Sequence, residues 1–155
     1  MITFAAFDAL FSSLSHSAWR LESRRRYASD ETTHTYRQFT AGRPVEWDLN
    51  DPWCTERREQ VALGKRFERV RIPAEPATEG QRYLFENARR NRAVGEDIRT
   101  LTRSQANGLQ LPAEDFWIFD AKVVALLVWS CPPPPPHCSP GTDARPRHRP
   151  SALCT

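Results

Sequence analysis

FERVRIPAEPATEGQRYLFENARRNRAVGEDIRTL, residues 67–101, decides the fold. Phe67 to Ile72 reads as a strand with Val70 and Ile72 buried and Pro73 as its stop, because proline cannot continue a hydrogen-bonded ladder. Thr78 followed by Gln81 is a capping-box pattern, in which each side chain accepts the other residue's backbone N–H. It opens a helix that carries Tyr83, Leu84 and Ala88 and finishes near Gly95. Asp97 to Leu101 is then a second strand. This strand, helix, strand order predicts a parallel pair joined by a right-handed crossover.

Upstream, residues 3–14 place Phe4, Phe7, Leu10, Phe11 and Leu14 at helical spacing behind Thr3 as a cap. From Ala18 to Tyr27 the period changes to two. Trp19, Leu21 and Tyr27 fall on one face and Arg20, Glu22, Arg24 and Arg26 on the other, the pattern of a half-buried strand. Asp30 is expected to cap a short helix that carries Tyr36 and Phe39 and closes at Gly42. Asp51 before Pro52 is a strong helix start, since the carboxylate accepts from orphan N–H groups and proline is preorganised for the first helical position. That helix should run to Leu63 and end at Gly64.

Downstream, a loop with Gly108 and Pro112 leads to two apolar runs, Phe116 to Phe119 and Val123 to Trp129, joined at Asp120, Ala121 and Lys122 as a buried hairpin. The fold class expected is α+β. It is a small mixed sheet of about five strands with three to four helices, including one strand-helix-strand crossover and a C-terminal hairpin. No internal repeat is present, which argues against solenoids and propellers.

The chain has 155 residues with 22 basic and 19 acidic side chains, a net charge of +3. That balance is too small to announce a nucleic-acid partner. No run approaches the ~18 to 20 apolar residues of a membrane span, and the apolar N-terminus carries Asp8 without a basic leader, so a soluble cytoplasmic protein is expected. Composition divides the chain into a single domain, residues 1–130, and a Pro-rich tail, residues 131–155, that holds eight of the thirteen prolines and three of the four cysteines. Such a tail cannot bury a core and is expected to be disordered. Its proline run, Pro132 to Pro136, can dock an aromatic groove; alternatively the tail is translated out of frame from a GC-rich coding sequence.

Residues able to carry chemistry are sparse. Cys54 sits in the first turn of an expected helix, but an activated thiol needs a histidine and an electropositive site. Cys131, His137, Cys138 and His148 lack zinc-ligand spacing, so no metal and no cofactor is expected. His16 lies among serines without a GxSxG elbow, and no Walker A or GxGxxG segment exists. Glu96, Asp97, Glu114, Asp115 and Asp120 fall at strand ends, where paired carboxylates bind magnesium or cap turns; Asp115 and Asp120 should point to opposite faces. The arginine sets at 24–26, 66–71 and 82–92 have acidic company in Glu22, Glu68, Glu86 and Glu96, which favours salt-bridged faces over nucleic-acid binding.

No catalytic residue is assigned. The recognition surface expected is a strand-end cluster of Arg20, Glu22, Arg69, Glu96, Asp97, Arg99, Trp117 and Asp120, because polar groups on strands flanked by aromatics can fix a ligand's orientation. The competing reading of the same residues is an internal salt-bridge network.

Taken together, HSAWRLESRRRY (16–27), QFTAGRPVEW (38–47), ERREQVALGKRFERVRIPAEPATEGQRYLFENARRNRAVGEDIRTL (56–101) and LPAEDFWIFDAKVVALL (111–127) resemble an actinobacterial family described as domain of unknown function 6879, over about residues 4–129. WRLE at 19–22, ERVRI with Pro73 and Pro76, GEDIR at 95–99 and DFWIFD at 115–120 are its most specific pieces. The resemblance carries no catalytic residue with it. It implies a regulatory or partner-binding role beside a helix-turn-helix transcriptional regulator, because genes of the family often neighbour such regulators. It also implies a further acidic turn and a Trp-containing helix after the hairpin, where this chain has its proline tail. The element order is faintly similar to a phospholipase D-like half-domain, but neither His16 nor His34 is followed two residues later by the lysine that class needs. Three functions are therefore carried forward: a non-enzymatic interaction module, a phosphodiester-handling enzyme or its inactive relative, and a nucleic-acid-binding module. The oligomeric state is not readable from these residues.

Overall fold

Three of the four helix starts that the sequence signals are built from the bond the signal supplies. In the computed structural model, which describes residues 3–127, Thr3 Oγ1 accepts from the Ala6 N–H at 3.1 Å and opens α1 (Phe4–Ser12). Asp51 Oδ1 accepts from the Cys54 N–H at 3.0 Å and Pro52 takes the first position of α4 (Pro52–Ala62). Thr78 and Gln81 form the full capping box of α5 (Glu79–Ala93). Gln81 does more than cap, because its Nε2 donates to Arg24 O at 3.1 Å while its Oε1 accepts from Ala74 N at 3.0 Å. Gly80 is required beside it: a Cβ there would lie 2.9 Å from Arg25 O.

Two expectations for helices are corrected. Asp30 does not cap the helix that carries Tyr36 and Phe39; it lies inside a single turn, α2 (Ala28–Glu31), and Thr33 caps α3 (His34–Thr40) by accepting from Tyr36 N at 3.1 Å. The loop before the hairpin contains α6 (Arg103–Gly108), opened by a second capping box of Thr102 and Gln105. The described residues therefore hold six helices where three to four were expected.

Strands β1 (Ser17–Glu22), β2 (Arg66–Arg71), β3 (Asp97–Thr100), β4 (Phe116–Phe119) and β5 (Val123–Leu126) form one mixed sheet in the order β3-β2-β1-β4-β5. The crossover through α5 makes β2 and β3 parallel, as the sequence predicts, and β1 is parallel to β2 as well. The hairpin β4–β5 adds the antiparallel side. Its turn has Asp120 at φ 50° and Ala121 at φ 53°, the two left-handed positions of the turn whose twist matches a hairpin. The fold is α+β, as expected. The expectations for Val128, Trp129 and the tail 131–155 concern positions outside the described residues.

Side chains alternate across a sheet, so the register sorts them. Ala18, Arg20 and Glu22 share a face with Phe67, Arg69, Arg71, Trp117, Phe119 and Ala125. Helices α1 and α4 cover part of this face, with Phe7, Leu10, Phe11, Leu14 and Val61 packed on its aromatic end. Phe11 meets Trp117 and Phe119 edge to face, each at 5.0 Å between ring centres. The opposite face carries Trp19, Leu21, Val70, Phe116, Ile118, Val124 and Leu126, and α6 sets Ala106 against Leu21, Ile72 and Phe116. The half-buried reading of β1 is thus replaced by a strand covered on both sides at its C-terminal end, where Leu21 and Glu22 are both buried. The expected burial of Ile72, just past β2, is present at 1 % exposure, but Val70 is only half-buried, and Arg69 and Arg71 on either side of it, at 8 % and 3 %, are more deeply buried.

A candidate recognition cleft over a buried arginine–carboxylate floor

Alternation sets Arg69 and Arg71 on one face of β2, and the parallel register lays Arg20 and Glu22 of β1 beside them. Glu96, one residue before β3, reaches the same face. Arg69 Nε donates to Glu96 Oε2 at 2.6 Å, its Nη2 to Glu96 Oε1 at 3.2 Å, and its Nη1 to Glu22 Oε1 at 3.2 Å. Arg71 Nε donates to Glu22 Oε2 at 2.6 Å and its Nη1 to Leu84 O, which ties α5 to the sheet. Arg20 Nη1 lies 3.0 Å from Glu22 Oε1.

Charge buried this deeply is tolerable only where it is paired and hydrogen-bonded. Burial opposes ionisation of Glu22, but Arg20, Arg69 and Arg71 together outweigh it and hold the carboxyl down at about 2. For Arg69, burial works against the cation and Glu96 and Glu22 carry it above the ordinary arginine value. Arg57 of α4 completes the layer from behind, 3.5 Å from Glu96 Oε1, with its guanidinium 3.5 Å above the Phe67 ring centre. Burial pulls Arg57 down to about 10, only partly offset by Glu96.

Above this floor opens a cleft of about 1010 Å³. Phe7 and Leu10 of α1, Leu84 of α5 and the whole length of β5 supply its apolar walls, and Arg20, Glu22, Tyr27, Asp30, Asn87 and Asn91 its polar end. The Arg20 guanidinium sits 5.2 Å from the Trp117 ring centre and 5.4 Å from that of Tyr27. Tyr27 is held by donating its hydroxyl to Asp115 Oδ2, while Asp115 Oδ1 accepts from Ser23 N at 2.7 Å and Ser23 Oγ at 2.9 Å. Burial pushes the Tyr27 phenol above its ordinary value, and Glu22 and Asp115 add to this against the pull of Arg20. At Asp30, burial and the charge of Glu22 push the carboxyl up to about 6 against Arg20 and Arg71.

Of the residues singled out from sequence, Arg20, Glu22, Arg69, Glu96 and Trp117 meet here. Asp97 and Arg99 do not. They occupy the opposite face of the sheet, exposed, and pair with each other at 2.6 Å. Asp120 is at the hairpin turn, where its carboxylate accepts from Ser15, His16 and Ser17 N–H at 2.9, 2.6 and 2.9 Å and is held at about 2 by those bonds. Asp115 and Asp120 serve separate loops. Sequence reasoning missed Arg71, although alternation puts it beside Arg69, and it missed Arg57, Tyr27 and Asp30, whose places depend on how helices land on the sheet.

Other candidates are settled by position. Cys54 is buried, and burial together with Asp51 pushes its thiol up, the reverse of an activated nucleophile. Of Arg66, Arg69 and Arg71 only Arg66 is exposed, so that set is no nucleic-acid surface. Among the described residues no three His, Cys, Asp or Glu side chains could hold a metal ion, and no helix is long and apolar enough to cross a membrane.

The model of a family described as Domain of unknown function (DUF6879) matches residues 5–131 of this chain. No curated protein and no solved structure matches it.

Proposed function

Starting from the fact that this chain belongs to the DUF6879 family, we propose that it is a non-enzymatic regulatory module that binds a partner protein along β5. One observation carries the reading. β5 ends the sheet among the described residues, and it exposes Val123, Val124 and Leu126 at 43 %, 61 % and 59 %. A sheet edge with free backbone groups and bare apolar side chains accepts an added strand, with main-chain bonds giving affinity and alternate side chains giving selectivity. Half-buried Trp19 and Ile118 extend the apolar surface inward from Val124 across one face. The paired state of Glu22 and Glu96 supports a binding role, since each carboxylate oxygen already accepts from an arginine or lies against one.

The partner proposed is a helix-turn-helix transcriptional regulator in the cytoplasm. The test is co-expression of the full chain with such a regulator encoded beside it, followed by affinity capture. Retention by the wild-type chain and its loss in Val124→Glu, with an unchanged melting temperature, is the expected result. A regulator that is not retained, or is retained equally by Val124→Glu, overturns the reading.

A further inference from the structure

We propose that the cleft seats the stretch of this chain that follows β5, with Trp129 inserted beside the Tyr27 ring. The inference goes beyond partner binding on β5 and does not depend on it, because Val124 and Leu126 alternate onto the other face of the sheet.

Register is the first argument. Val123 pairs with Phe119 and Ala125 with Trp117, so both lie on the arginine–carboxylate face. Leu127 keeps the alternation: its N–H donates to Asp115 O at 2.9 Å, it lines the cleft, and it packs against the cluster that holds Trp117. Continued by two residues, the same register sets Trp129 on this face, opposite Ala113. Two residues of extended chain span about 7 Å, so the indole follows directly on the Leu127 wall. Pro132 has no N–H to give a ladder, which ends the extension before the proline run.

The receiving groups are the second. Ala113 O accepts from Ser23 Oγ at 2.7 Å, and Asp115 accepts from Ser23 N and from the Tyr27 hydroxyl. The residues that face positions 127 and 129 are thus tied to the segment that carries Tyr27. Asp30 N donates to Tyr27 O at 3.0 Å, and both residues line the cleft. A buried indole needs a surface for its ring and an acceptor for its N–H, and Tyr27 and the Asp30 carboxylate are of those two kinds.

The tether is the third, and it chooses the occupant. Trp129 is the one aromatic residue in 128–155. It is joined to the cleft wall through Val128 alone, which gives it a local concentration on the order of millimolar or more, above that of any free partner or second copy. The cleft volume of about 1010 Å³ accommodates an indole.

Fluorine NMR of the full chain labelled with fluorotryptophan tests the proposal. Each of the five tryptophans gives one line, and Trp129→Phe identifies its own by loss. The Trp129 line is expected to show a shift between H₂O and D₂O at least about threefold smaller than in urea, as a buried indole does, and to keep that protection on dilution. Tyr27→Leu, which removes the neighbouring ring, should move the Trp129 line and leave that of Trp47 in place. Should Tyr27→Leu lose its cooperative melting transition, Ser29→Phe adds a ring at an exposed position of the same lining and should move the line instead. A Trp129 line as solvent-sensitive as in urea, or a protected line that neither variant moves, overturns the proposal. Protection that disappears on dilution overturns it too, since the occupant is then a second copy. Regulator capture by β5 is read separately, so either idea can fail alone.

Discussion

Arg69 and Glu96, 27 residues apart in sequence, meet in a two-pronged bond of 2.6 and 3.2 Å, with side chains 9 % and 0 % exposed. The pair ties β2 to the start of β3. Its oxygens and guanidinium are remote from water, so when one partner is removed the other keeps only its weaker second contact, Arg69 with Glu22 at 3.2 Å and Glu96 with Arg57 at 3.5 Å. Breaking such a pair costs about 3 to 5 kcal/mol, most of it the burden of the charge left behind. Arg69→Met and Glu96→Gln should each lower stability by about that amount in urea unfolding, and the double variant should be less destabilised than the sum of the two. Strict additivity would show that the pair is not coupled.

Glu22 gives the acid limb of stability. Its folded-state carboxyl is held at about 2, below the ordinary 4.5. A depressed acid contributes stability above its unfolded value and loses it as pH falls through the folded one. The wild-type melting temperature should therefore drop between about pH 4.5 and pH 2, and Glu22→Gln should be strongly destabilised at pH 7 with the gap narrowing toward pH 2. A gap independent of pH would remove the carboxylate as its cause.

Asp30 has the opposite sign. Its folded-state carboxyl is raised to about 6 from 3.8, so the folded chain binds a proton that the unfolded chain has released. Stability contributed this way is present below about pH 4 and is lost as pH rises through 6. Asp30→Asn should be more stable than wild type at pH 7.5 by about 1 kcal/mol, after allowing for solvent screening at this partly exposed site, and no more stable at pH 4. Thermal melts at the two pH values check it.

Ala121 holds a left-handed conformation, φ 53°, at the second position of the hairpin turn. A Cβ in that region costs about 1 kcal/mol, which glycine avoids. Ala121→Gly should raise the denaturant midpoint. Asp120→Gly at the neighbouring position should lower it, because the three N–H groups of residues 15–17 lose their acceptor.

Much of the fold was readable because its signals are local. The capping bonds of Thr3, Asp51, Thr78 and Gln81 reach N–H groups three residues away, so sequence spacing alone specifies them. Thr102 and Gln105 carry the same local signal and open α6, although Gly108 and Pro112 close by read as loop. At the site, Asp97, Arg99 and Asp120 were grouped with the others because proximity to strand ends carries no information about faces. One residue of register separates Ile98, beside Arg69, from Asp97 and Arg99 on the other side.

The sequence by itself determined the five strands, the longer helices, the parallel crossover and the hairpin, because these follow from hydrophobic period, caps and turn residues within short windows. Only the tertiary structure decided that the charged stripe of β1 and β2 lies inside. Alternation separates Trp19, Leu21 and Val70 from Arg20, Glu22, Arg69 and Arg71 but does not say which stripe helices will cover. The arginine stripe is buried because Glu96, Arg57 and α5 arrive from distant parts of the chain to pair with it. That pairing is a property of three-dimensional register, which no local pattern of residues contains.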